Sequence, residues 1–232
     1  MNPLISIVVP ALNEEENLEW VLPLLLGVLD RYGRPFELVV IDDGSRDHTA
    51  DVVLELASRR PEVRLVRHPR NLGSPVAFFT GIREARGEFL MLVPADLAIE
   101  PEDLPAFFDA GPTCDVVVGV RSDRQDYSLA RKFESQVNIF LVRTLFRMRL
   151  RDYNYVYLFR RSIFDQIHPE SRTIFLGAEI LIRARDAGMR LTEVEARYVP
   201  RKHGVSTVGR PSVILRTTRD LFLFWAKWAL RH

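Results

Sequence analysis

Asp42 and Asp43 close the apolar run FELVVI and are followed at once by Gly44 and Ser45. A carboxylate at the end of a strand can accept from the ring N–H groups of a uracil or guanine while the Gly-Ser pair turns the chain. The same residues also suit an ordinary turn, with Arg46 and Asp47 capping the next helix. Thirty residues on, Asn71 and Gly73 stand just before a helical pattern, where an Asn-x-Gly can present backbone N–H groups toward a diphosphate. A third acidic position, Asp96 in PADLAIEPEDL, follows the apolar run EFLMLV.

These residues need a frame that brings them to one edge. Short β-branched runs (ISIVV, FELVVI, VRLV, EFLMLV, CDVVVGV) alternate with helix-like stretches, a pattern that predicts an α/β fold, a mostly parallel sheet covered by helices on both faces. In open α/β sheets ligands sit beyond the carboxyl ends of the strands, so polar residues directly after strands carry most weight. The first helical pattern buries Leu18, Val21, Leu22, Leu25, Val28 and Leu29 at 3.6 spacing, with a kink or late start expected at Pro23. Ala77, Gly81 and Ala85 form a small-residue stripe that lets a helix lie close on the sheet. From about Asp126 the character changes: an amphipathic stretch to Leu150, an aromatic run YNYVYLF, a helix GAEILIRARDAG, a strand RLTEVEARYV and a terminal helix SVILRTTRDLFLFWAKWALR.

The 232 residues, 47% hydrophobic, suffice for one α/β core. The expected layout is one domain over residues 1–210, with a nucleotide-binding half to about 120 and an acceptor-facing half after it, then an amphipathic helix over 211–232. Net charge is +1, which speaks against nucleic acid as a partner, although residues 201–232 hold seven Lys or Arg and one acid. A single cysteine, the lack of a signal-peptide core and the absence of a 20-residue apolar span point to a cytoplasmic protein that reaches a membrane only from its surface. The first strand is followed by PALNEEENL, without the glycines of a dinucleotide-binding loop. The five histidines show no ligand spacing. Glu179, inside an amphipathic helix, is expected to pair with a nearby arginine.

Taken together, IVVPALNEEENL, VVIDDGSRDHT, RNLGSPVAFFTGIREARGEFL and the PAD position resemble glycosyltransferase family 2, a GT-A fold. The later YNYVYLFRRSIF, the helix beginning GAEILIR and the closing DLFLFW are similar to its dolichol-phosphate mannose synthase and polyprenyl-phosphate glycosyltransferase branch. The resemblance implies an enzyme, an inverting hexosyltransferase moving sugar from a UDP- or GDP-sugar to a polyprenyl or dolichyl phosphate. It sets Pro10, Leu12 and Glu14 against the nucleotide and Val40 and Asp42 at the base, beside Asn71 and Gly73. Asp96 falls near the diphosphate and any Mg²⁺ or Mn²⁺, and Arg121, Arg131 and Arg201 fall on phosphate groups. Two positions depart from the family. The first acid of its D-x-D is Pro94, leaving Asp96 alone, and the lysine after Ser206 is Thr207. No Q-x-x-R-W occurs, which favours a phosphorylated acceptor that needs no general base. The alternatives are a soluble saccharide acceptor and a catalytically degenerate nucleotide-sugar-binding partner protein. The basic amphipathic terminal helix, with Val213, Ile214, Leu221, Phe224, Trp225 and Trp228, suggests docking on the inner face of a membrane.

Overall fold

The computed structural model describes residues 4–122, 129–200 and 211–230, with only the backbone described over 129–134. The elements run β1 (Ile5–Ala11), α1 (Glu15–Tyr32), β2 (Phe36–Asp42), α2 (Thr49–Arg59), β3 (Val63–Arg67), α3 (Ser74–Glu84) and β4 (Phe89–Leu92). They continue through α4 (Leu104–Ala110), β5 (Val116–Arg121), α5 (Leu129–Phe146), β6 (Tyr157–Arg160), α6 (Leu176–Asp186), β7 (Leu191–Ala196) and α7 (Pro211–Ala229).

The strands among these residues form one sheet in the order β3-β2-β1-β4-β6-β5-β7. β1 pairs in parallel with β2 and β4, as do β2 with β3 and β5 with β7. The exception is β6, antiparallel to both neighbours. It arises from the aromatic run, which the sequence pattern did not mark as a strand. Both faces are covered, as the alternation of strand and helix requires. On one face α1, α2 and α4 pack over Ile7, Val9, Leu38 and Val40. On the other, α3, α5, α6 and α7 pack over Val8, Val39, Ile41 and Leu90.

Helix α1 buries all six residues of its predicted stripe. It starts at Glu15 and runs through Pro23, which sits on the exposed side, so no late start occurs. The small-residue stripe of α3 serves packing: Ala77, Gly81 and Ala85 are buried, and a Cβ on Gly81 would lie 2.3 Å from Val8 Cγ1.

The terminal helix departs from the expectation of an interfacial element with its aromatics in lipid. Leu221 is buried, and Phe224 packs 5.6 Å from the rings of both Phe146 and Phe175. Trp228 meets Phe146 edge-on, and its indole N–H donates to Asp186 (2.7 Å). An apolar stripe at 3.6 spacing on a terminal helix is satisfied by any apolar surface, and here the domain supplies it. The side chains left outward are Ile214, Leu215, Phe222 and Leu223. No helix among the described residues is long and apolar enough to cross a membrane.

Candidate functional site

The carboxyl ends of β2, β1 and β4 lie side by side. The ladder extends past the strands, since Asp43 N–H donates to Ala11 O (2.8 Å) and Val93 N–H to Val8 O (2.9 Å). Asp42 therefore ends one neighbour of β1, and the turn Pro94–Leu97, closed by Leu97 N–H to Pro94 O (2.9 Å), ends the other. Asp96 is half-buried on that turn.

The loops after β1 and β2 are sewn to each other. Asn13 N–H donates to Ser45 Oγ (2.9 Å), Glu14 N–H to Thr49 Oγ1 (2.9 Å), and Arg46 N–H to Asn13 Oδ1 (2.9 Å). His48 N–H donates to the Glu15 carboxylate (2.7 Å). Asp47 accepts from Thr49 N–H (3.1 Å) and Oγ1 (2.6 Å) at the start of α2, the capping role its position suggested. Burial pushes the Asp47 carboxyl up, but these hydrogen bonds outweigh it and hold it below the usual carboxylate range.

The adjacent acids at the end of β2 have different surroundings. Asp43 faces the segment before α3: its Oδ1 lies 2.7 Å from His68 Nδ1 and accepts from Leu72 N–H (2.9 Å), while Oδ2 accepts from Gly73 N–H (2.8 Å). His68 Nε2 lies 3.0 Å from Thr80 Oγ1, so the buried imidazole bridges the acid to α3. Gly44 makes this approach possible, with φ at +80° and the Arg70 backbone only 2.4 Å from where a Cβ would sit.

Asp42, at the end of the strand, is wholly buried. Its Oδ1 accepts from Ser45 N–H (2.8 Å). Its Oδ2 lies 3.0 Å from Arg67 Nε, yet no donor is aligned on that oxygen, which leaves a buried acceptor without a hydrogen bond. The contact is thus Coulombic, and a lone pair remains for an incoming donor. Arg67 is the register partner of Asp42 on β3, and its own side chain is half exposed. Beyond Arg67 opens a cleft of about 590 Å³ walled by Ser45, Arg46, Arg67, Arg70 and Asn71.

Other expected site residues fare unequally. Pro10 and Leu12 are half-buried at the end of β1. Glu14 starts α1, and its carboxylate accepts from the Asn17 side chain (2.6 Å). The Val40 side chain is turned by strand alternation into the core under α1 and is fully buried. Gly73 does not offer its N–H to a diphosphate, because Asp43 and the Asn71 side chain both accept from it; Asn71 itself lines the cleft.

Arg121 is not an open phosphate clamp. Its Nε and Nη2 donate in a fork to Asp152 (2.8 Å each), its guanidinium lies 5.2 Å from the Tyr155 ring centroid, and both charged groups are buried. Such a fork fixes the 152–155 segment. The Arg131 side chain and Arg201 lie outside the described residues, as does Thr207. Glu179 takes the structural role expected of it, accepting from Arg183 Nε (2.7 Å) and from the N–H groups of Glu170 and Ser171.

Among the described residues no three His, Cys, Asp or Glu side chains gather into a metal-sized group. Strand ends that set one buried acid beside an arginine and another acid on the turn after β4 are the arrangement present. The profile of Glycosyl transferase family 2 matches residues 6–176. The chain belongs to that family. Within the family it is similar to the undecaprenyl-phosphate 4-deoxy-4-formamido-L-arabinose transferase of Edwardsiella ictaluri (strain 93-146), 31% identical over 90% of this chain and 64% of that one. The enzyme of the same name from Pectobacterium carotovorum subsp. carotovorum is 32% identical over 87% of this chain and 62% of its own. The chain thus spans less than two thirds of these relatives' length. Among solved structures, glucosyl-3-phosphoglycerate synthase from Mycobacterium tuberculosis in complex with phosphoglyceric acid superposes with a TM-score of 0.74 at 20% identity, covering 95% of this chain and 79% of that one. The same enzyme with Mn²⁺, UDP and phosphoglyceric acid also gives 0.74, at 19% identity. The fold of this family member is accordingly GT-A.

Sequence reasoning missed three participants: His68, Arg67 and Asp152. Arg67 carried a legible signal. Aligning the parallel strands FELVVID and VRLVR end to end sets its charge opposite Asp42.

Proposed function

We propose that this family 2 member transfers a sugar from a UDP- or GDP-sugar to a polyprenyl phosphate. The observation that carries the reading is the pairing of two acids across the end of β1: Asp42, with a buried oxygen lacking a donor, and Asp96 on the next strand's turn. The first suits the ring N–H of a base, and the second lies where the diphosphate of that nucleotide would extend. The polyprenyl-phosphate transferases among the relatives support the acceptor.

The reaction is a direct displacement. A phosphate oxygen of the acceptor forms a bond to the anomeric carbon as the bond from that carbon to the nucleoside diphosphate breaks, inverting the centre. The attacking oxygen is already ionised near pH 7, so no side chain has to remove a proton. The chain's part is to bind the base at Asp42, hold the diphosphate near Asp96 and align the acceptor. The donor set fits a divalent cation bound mainly through the nucleotide: Asp96 is one carboxylate, and Mg²⁺ or Mn²⁺ normally takes one or two together with phosphate oxygens and water. Such an ion, when bound, neutralises charge on the departing diphosphate. Mn²⁺ and UDP are named in the complexes of the mycobacterial fold relative, which supports that choice.

Lipid access would come through the outward side of α7, where Ile214, Leu215, Phe222 and Leu223 stand among Arg216, Arg219 and Lys227. The test is transfer of labelled sugar to undecaprenyl phosphate by the full chain, with and without Mn²⁺, alongside nucleotide calorimetry. The expected result is lipid-dependent product that disappears in Asp96→Ala and nucleotide binding that disappears in Asp42→Asn. Turnover onto a soluble saccharide with no lipid present would overturn the acceptor. Binding of nucleotide unaffected by Asp42→Asn would overturn the donor site.

A further inference from the structure

We infer that Tyr155 is a positioning residue that fixes the turn carrying Asp96. The role rests on the reading of Asp96 above and names what holds that acid in place, now that Pro94 leaves it as the turn's one carboxylate.

The turn needs holding. Leu97, next to Asp96, has φ at +50°, a left-handed conformation that a residue other than glycine adopts only under constraint. One constraint is burial, since Leu97 and Ile99 both sit in the core on the α1 face of the sheet. The others come from segments far away in sequence. Ile99 bridges Tyr198 in antiparallel fashion, with Glu100 N–H donating to Arg197 O (3.0 Å) and Val199 N–H to Ala98 O (3.2 Å). The Tyr155 hydroxyl reaches the same two carbonyls: it lies 2.8 Å from Arg197 O and 3.1 Å from Ala98 O, and shares its proton between them. One side chain thus ties the segment after β4 and the segment after β7 to the segment before β6.

Tyr155 can serve as a peg because it is itself anchored. Gly119 N–H on β5 donates to Val156 O (2.8 Å), which fixes the backbone beside it. The half-buried ring lies 5.2 Å from the guanidinium of Arg121, and that group is forked on the buried Asp152. The cluster of Arg121, Asp152 and Tyr155 is therefore linked, through Ala98, to a position two residues from Asp96. A cation held mainly by the nucleotide takes a single carboxylate from the chain, and a single bond tolerates little displacement. Loss of the hydroxyl accordingly weakens the hold on the ion before it weakens the fold.

The experiment measures calorimetric affinities of the full chain for UDP and GDP, in EDTA and at a fixed sub-saturating Mn²⁺ concentration, with Tm alongside. The proteins are wild type, Tyr155→Phe, Asp96→Ala and the double variant; phenylalanine keeps the ring beside Arg121 and removes only the hydroxyl. Tyr155→Phe should leave the metal-free affinity within about twofold of wild type and lower the Mn²⁺-supported affinity about three- to tenfold, the scale of one hydrogen bond. Its Tm should fall by less than about 4 °C. Asp96→Ala should lose the Mn²⁺ effect, and adding Tyr155→Phe to it should lower affinity no further, as for residues that act through one another. A Tm that falls while the Mn²⁺ effect stays intact makes the hydroxyl merely structural and overturns the inference, as does an undiminished effect of Tyr155→Phe in the Asp96→Ala background. Asp96→Ala that keeps the whole Mn²⁺ effect, or a wild type indifferent to Mn²⁺, overturns the reading of Asp96 together with the role of Tyr155. Failure of wild type to bind either nucleotide overturns the donor site as well.

Discussion

Asp42 and Asp43 are neighbours of one residue type, and the structure assigns them opposite consequences on removal. In Asp43→Ala three hydrogen bonds to a carboxylate vanish: from His68 at 2.7 Å, Leu72 N–H at 2.9 Å and Gly73 N–H at 2.8 Å. Bonds to charged acceptors contribute about 1.5–3 kcal/mol each. Two discounts apply. Leu72 is exposed and its N–H can turn to water, and Gly73 N–H keeps the Asn71 side chain as an acceptor at 2.9 Å. His68 has no such substitute, being buried with Thr80 as its other neighbour. The net cost is about 3 kcal/mol, which for a chain of this length lowers Tm by about 6–12 °C. In Asp42→Asn the amide oxygen still accepts from Ser45 N–H, and the lost partner, Arg67, is half exposed and rehydrates. That substitution costs about 1–2 kcal/mol, because the buried amide NH2 that replaces Oδ2 faces Arg67 without an acceptor. Differential scanning calorimetry of both variants, paired with UDP calorimetry, separates the roles: a large fall in Tm for Asp43→Ala, and lost binding with a small fall for Asp42→Asn. A Tm for Asp43→Ala within about 2 °C of wild type, or an equal fall in the two variants, would refute the assignment.

Pro94→Asp should strengthen the dependence of nucleotide binding on Mn²⁺ by adding a carboxylate beside Asp96, and metal titrations that do not distinguish it from wild type would mean that no ion sits on this turn. Glu179→Gln should destabilise the chain by about 2–4 kcal/mol, since it leaves Arg183 and the 170–171 loop without their buried anion; chemical denaturation checks this. Burial raises the Glu37 carboxyl, but hydrogen bonds from Ser6, the Arg86 N–H and Arg64 outweigh that and hold it low. Its contribution is therefore fully present above the ordinary value of 4.5 and lost as pH falls through the lower folded value, so Glu37→Gln should flatten the acid limb of Tm against pH. Reversible, salt-sensitive pelleting with anionic vesicles should weaken when Leu215 and Leu223 become Ser and stay unchanged on conservative replacement of the inward Leu221 by Met.

The five apolar runs of the first half became β1 to β5 because burial on both faces of a parallel sheet demands continuous β-branched sequence, a local signal. The stripe of α1, the packing glycine of α3 and the Asp47 cap were legible for the same reason: each depends on neighbours in the chain. What escaped depends on partners far away in sequence. Arg121 looked like an open cation because Asp152, thirty-one positions on, is invisible to spacing. Gly73 looked like an anion cradle because nothing in RNLG reveals that Asp43 already occupies its N–H. The inward side chain of Val40 was not read from the carried-over position, because that reading did not ask which face of β2 it takes. β6 was missed because its four residues are flanked by polar and aromatic ones that carry no clear period of two.

β6 also governs the order in which the sheet can come together. β4 and β5 share no ladder, so the block β3-β2-β1-β4 and the pair β5-β7 are joined through this one four-residue strand. The first block pairs segments within the initial 92 residues and can close as soon as they exist. The union of the two halves must wait for residues 157–160, which reach back to Phe89 and Met91 on one side and to Val116 and Val118 on the other. Contacts of such long sequence separation form late, because loop closure is costly before the ladder rewards it. Until then the β4 edge stands open, a strand of Phe, Leu and Met with its backbone groups unpaired on one side. A substitution that slows β6, such as Leu158→Pro, should therefore appear first as aggregation during refolding, with the β3-β2-β1-β4 block already formed.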